Sequence, residues 1–88
     1  MKLNGKLIQG TKILKEATVE SKPHEKENSF RETLEECLIS VCKELDIQVP
    51  IWLKKNTTEF VNYGRTSFTE EQFIEKVNFQ RLEIKYIR

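Results

Sequence analysis

The sequence predicts an α+β fold: a small antiparallel sheet, built from an N-terminal hairpin and a C-terminal strand, covered on one face by one long amphipathic helix. Three observations carry this. Two strand-like runs flank Gly10-Thr11, the second with several β-branched residues, apolar side chains recur at helical spacing from residue 30 to 45, and residues 82 to 86 alternate between apolar and charged.

The hairpin comes first. LNGKLI and KILKEATVE surround Gly10-Thr11, and in the second run Ile13, Ala17 and Val19 share one side of a period-2 pattern against Glu16, Thr18 and Glu20. Lys15 falls on the apolar side and Leu14 on the polar side, a fault that a β-bulge or an edge strand accommodates. SKPHEKEN, residues 21 to 28, has no apolar side chain and contains Pro23, so it reads as a loop. Ser29 and Glu32 then form an S-x-x-E capping box ahead of Phe30, Leu34, Cys37, Leu38, Val41 and Leu45. At 100° per residue these six fall in one sector, with Glu32, Glu35, Glu36 and Lys43 opposite, which predicts a helix over 30–45.

Residues 46 to 53 are apolar but broken by Pro50. Asn56-Thr57-Thr58-Glu59 can cap a short helix that runs to Tyr63 and stops at Gly64, and Thr69-Glu70-Glu71-Gln72 repeats the capping pattern, giving short helical turns within residues 56–75. In NFQRLEIKYIR, Leu82, Ile84 and Tyr86 oppose Arg81, Glu83 and Lys85, a half-buried strand. Because an isolated hairpin is marginal in water, this strand is expected to join the first two, completing one domain over residues 1–88.

The runs LEECLISVCKELDIQVPIWLKKNTTEF and RTSFTEEQFIEKVNFQRLEIKYI resemble those of a family of short, uncharacterised bacterial proteins of similar length. The resemblance implies neither an activity nor a binding site.

Composition narrows the function classes. The net charge of +1 lacks the basic excess of a protein devoted to phosphate backbone, although the charge is patterned. Residues 29–46 hold two basic and five acidic side chains, and residues 50–65 hold three basic and one acidic. No apolar run reaches the roughly 20 residues of a membrane span, and MKLNGKLIQG lacks the apolar core of a signal peptide, so a cytoplasmic protein with no membrane partner is expected. Cys37 and Cys42 are five apart, about 140° around a helix, with no CxxC or HxxxH near them and a single histidine, His24, in the loop. Both thiols are therefore expected free and neither metal-binding nor nucleophilic, with Glu35, Glu36 and Glu44 raising their pKa. Gly5, Gly10 and Gly64 stand too far apart for a phosphate loop, so no cofactor is expected.

One stretch stands out. PIWLKKNTTEFVNYGRTSF, residues 50–68, gathers the only tryptophan, a tyrosine, two phenylalanines and three of the fifteen basic side chains. One reading makes Ile51, Trp52, Leu53, Phe60, Val61 and Phe68 a wall of the core, since a small domain needs its large side chains inside. The other makes Trp52, Lys54, Lys55, Tyr63 and Arg65 a surface where bases stack and cations meet phosphates. Ile39 sits among Glu32, Glu35 and Lys43 on the polar back of the helix, where a partner could meet it. Together these features lead to the expectation of a small non-catalytic interaction module that meets either an unknown protein partner or a second copy of itself, with the imperfect edge strand and Ile39 as the candidate contacts. The alternative is a weak nucleic-acid binder using residues 50–68.

Overall fold

The computed structural model describes residues 1–21 and 30–88; the expected loop residues from 22 onward, His24 and the Ser29 cap lie outside the described residues. Along the chain run β1 (Lys2–Gln9), β2 (Lys12–Glu20), α1 (Phe30–Glu44), α2 (Lys54–Tyr63), β3 (Arg65–Thr69), a 3-10 turn (Glu70–Gln72) and β4 (Arg81–Ile87). The strands form one sheet in the order β2-β1-β4-β3, antiparallel throughout. The C-terminal strand joins the hairpin as expected, through β1. Contrary to the expectation of three strands under one long helix, the sheet has a fourth strand, β3, and a second helix, α2, stands beside α1. With only Thr66 and Phe68 buried, β3 is too short to display an alternation between two helical signals.

The hairpin turns at Gly10 in the left-handed region (φ 61°). Leu7 pairs with Lys15 and Ile8 with Ile13, leaving Leu14 as the extra residue of a bulge on the edge strand β2. That bulge resolves the fault in the β2 pattern. Lys15 stays on the core face beside Ala17 and Val19, and its Nζ reaches the carbonyl of Leu45, 3.5 Å away at the end of α1.

The core face of the sheet presents Leu3, Gly5 and Leu7 from β1, Leu82, Ile84 and Tyr86 from β4, and Thr66 and Phe68 from β3. Against it α1 buries Leu34, Cys37, Leu38, Val41 and Cys42, and Leu45 follows just beyond the helix. Gly5 sits where α1 comes closest: a Cβ there would lie 2.8 Å from Val41 Cγ2. After Leu45 the chain turns through Asp46 (φ 58°). Its N–H donates to the carbonyl of Lys43 (3.1 Å) and that of Ile47 to the carbonyl of Cys42 (3.0 Å), the paired bonds of a Schellman ending. Gly64 ends α2 as expected, with φ 68° and its N–H on the carbonyl of Phe60 at 2.9 Å. The Thr69 turn is also found, Gln72 Oε1 accepting from the Thr69 N–H at 3.2 Å.

Candidate functional site

Between α1 and α2 lies an open groove of about 600 Å³. Its α1 wall is Phe30, Leu34, Leu38 and Ile39, its α2 wall Thr57, Phe60 and Val61, and Val49, Pro50 and Trp52 close one end. Several of these apolar side chains face solvent: Phe30 is 52% exposed, Ile39 55%, Val49 43% and Val61 74%. Phe30 was expected within the buried stripe, yet it sits at the rim with its ring 6.2 Å from Phe60 and 5.9 Å from Tyr86, centroid to centroid. The first turn of α1 has reached the margin of the helix layer, and Phe30 meets only the aromatic end of the core.

The α2 wall is held in place by one buried polar residue. Asn56 is fully buried, and it makes all four hydrogen bonds its amide can offer. Its Nδ2 donates to Thr66 Oγ1 (2.8 Å) and to the Ser67 carbonyl (2.9 Å), while its Oδ1 accepts from the Leu53 N–H (2.9 Å) and from Gln72 Nε2 (3.0 Å). Gln72 Nε2 also donates to the Ile51 carbonyl (3.0 Å), and Thr66 Oγ1 donates to Glu59 Oε1 (2.6 Å). This network ties α2 to the outer edge of β3 and to the 3-10 turn. Asn56 was expected as the N-cap of α2; instead the helix begins two residues earlier at Lys54, and Asn56 serves from its third position. The Asn-Thr-Thr-Glu string thus lies within the first two turns of α2: it located the helix but not its start. Nothing local marks Asn56 as buried, because three of its partners lie ten or more residues away.

Of the residues singled out in the segment 50–68, Trp52 is half-buried, its ring centroid 5.6 Å from Phe68 and 6.1 Å from Phe60, and its indole N–H donates to Thr57 Oγ1 at 2.8 Å. Phe60 and Phe68 are core, whereas Ile51, Leu53 and Val61 are exposed, so the wall-of-the-core reading holds for only part of its set. Lys54 and Lys55 are exposed on the first turn of α2. Tyr63 and Arg65 are exposed too, but they face a second, polar groove of about 430 Å³ that neither Trp52 nor the two lysines line. The five side chains therefore do not make one surface. Ile39 is exposed as the helical pattern predicted, and the structure puts it in the same groove as Trp52.

Both cysteines are buried and unpaired. Burial pushes the Cys42 thiol up to about 12 and also raises that of Cys37, against opposing influences from the N-terminal amine and Ser21. The cause is desolvation; the expected carboxylate effect contributes only through Glu36, as the smallest influence on Cys37. Among the described residues, no three His, Cys, Asp or Glu side chains converge as metal ligands, and no helix is long and apolar enough to cross a membrane. Comparison of the chain with protein-family models, with curated proteins and with solved structures finds no match.

Proposed function

We propose that the protein is a small cytoplasmic, non-catalytic interaction module that self-associates through the groove between α1 and α2. The observation that carries this is the groove itself, a concave apolar strip whose rim leaves Phe30, Ile39, Val49 and Val61 in water. Its occupant is a second copy of the chain, on grounds of charge. Residues 29–46, which include the α1 wall, hold five acidic and two basic side chains, while α2 carries Lys54 and Lys55 on its exposed first turn against a single Glu59. A two-fold axis would set each acidic helix against the partner's basic one, so a single surface complements itself. Two buried thiols whose pKa is raised by desolvation are poor nucleophiles, which supports a non-catalytic role. Free thiols also suit a reducing compartment.

Light scattering after size exclusion, over a range of protein concentrations, tests the proposal. The expected result is a dimer at high micromolar concentration, weakened by salt because Lys54 and Lys55 of one copy meet the acidic α1 of the other at the exposed flanks of the apolar groove. Ile39→Lys should give a monomer with an unchanged circular dichroism spectrum. A wild-type chain that stays monomeric at the highest concentration, or an Ile39→Lys chain that still dimerises, would rule the groove out.

A further inference from the structure

The second groove lies away from α1. It runs from Glu59 and Tyr63 on α2, over β3, to the uncovered face of the sheet, where the register brings up Lys6, Arg65, Glu83 and Lys85. Its charges are unevenly matched. Glu83 accepts from Arg81 Nε at 2.8 Å and Glu59 from Thr66 Oγ1 at 2.6 Å, whereas Lys6, Arg65 and Lys85 enter no ion pair among the described residues. Arg65 and Lys85 are direct cross-strand partners, and like charges so placed oppose strand pairing unless an anion lies between them. Lys6 sits one diagonal away, because Lys85 is opposite Asn4 while Lys6 lies between Glu83 on β4 and Glu16 on β2. At the groove's end the Tyr63 ring, 71% exposed, projects from the last turn of α2 just before Gly64 leads into Arg65.

We propose that this groove binds single-stranded nucleic acid, with Tyr63 stacking on one base and Lys6, Arg65 and Lys85 taking the neighbouring phosphates. A cross-strand cation pair that enters no ion pair among the described residues favours an anion, and an exposed aromatic beside it selects an anion that carries a flat ring. The set differs from the one suggested by residues 50–68 alone. It drops Trp52, Lys54 and Lys55, keeps Tyr63 and Arg65, and recruits Lys6 and Lys85 from strands far away in sequence.

The test is fluorescence anisotropy of a labelled oligothymidylate at low salt, with competition by thymidine monophosphate, inorganic phosphate and polyglutamate. Running it on the Ile39→Lys chain as well separates this site from the self-association groove, which shares none of these residues. Three phosphate contacts on a single strand predict a slope of about −2 in log affinity against log salt. Tyr63→Ala should weaken binding about tenfold, in keeping with the loss of one stacked base. Arg65→Ala and Lys85→Ala should each lower the affinity and flatten the slope by about 0.7, while Lys54→Ala and Lys55→Ala leave both unchanged. Competition by the mononucleotide but not by inorganic phosphate supports the pairing of ring and phosphate. Displacement by polyglutamate as effective as by oligothymidylate would mean that the face takes an acidic protein. That outcome, an absence of binding at low salt, or binding lost on Lys54→Ala or Lys55→Ala but indifferent to Arg65→Ala, would each overturn the proposal.

Discussion

Asn56 concentrates more of the structure's specificity than any apolar side chain. With both N–H groups and both lone pairs engaged inside the protein, its replacement by Leu would strand the Ser67 carbonyl, the Leu53 N–H and part of Gln72 at once. Asn56→Leu should therefore cost about 3 kcal/mol, read as a lower urea midpoint with an unchanged slope. Leu38, in the α1 stripe, tests the apolar side of the same core: Leu38→Ala should cost about 2 to 5 kcal/mol through the cavity it leaves. Cys42 gives a prediction in pH. Its folded pKa of about 12 lies above the ordinary 9.0, so between those values the unfolded chain gives up its thiol proton while the folded chain keeps it. Stability should then be independent of this group below pH 9.0 and fall as pH rises through the window toward 12. A disulfide reagent at pH 8 checks the same point: both thiols should react only as fast as the protein opens, and fast labelling of Cys42 in the native state would contradict its burial.

At the scale of elements, the contact between β1 and α1 rests on the missing side chain of Gly5. A methyl group there would crowd Val41 Cγ2 at 2.8 Å and Leu45 Cδ1 at 3.3 Å, in a layer with no slack. Gly5→Ala should cost about 1 to 3 kcal/mol, and Val41→Ala, destabilising alone, should recover part of that loss when the two are combined. A double-mutant cycle from urea titrations measures this, and strict additivity would show that the helix simply lifts away. The sequence displayed β2, α1 and β4 because each carries its own period, and β1 through the turn at Gly10-Thr11 that joins it to β2; even the bulge was visible in the misplaced pair Leu14 and Lys15. It hid β3, whose pairing with β4 and whose tie to Asn56 are both long-range, and it could not separate Gly5 as a close-approach residue from a glycine in a loose turn.

At the scale of the molecule, the two grooves lie on different walls, and neither could be read from the chain alone. Ile39 was legible as an apolar residue out of place and Trp52 as an aromatic in a basic stretch, but only the relative placement of α1 and α2 makes them line one strip. Tyr63 and Arg65 parted from Lys54 and Lys55 for a similar reason, since Gly64 reverses the chain between helix and strand. If the chain dimerises, its urea midpoint should rise with protein concentration, and that of Ile39→Lys should not. The strand order carries a last consequence, for the timing of folding. The inner pair of the sheet joins β1 to β4, with Lys2 opposite Ile87 and Ile8 opposite Arg81, so its two members are made at opposite ends of the synthesis of these residues. Until Arg81 to Ile87 leave the ribosome, the hairpin has no inner neighbour and β3 has no strand to lie against. The domain then closes around its longest loop, a step that makes it slower to fold than a helical bundle of the same length, and a nascent chain halted before Arg81 should remain open to protease along its whole length.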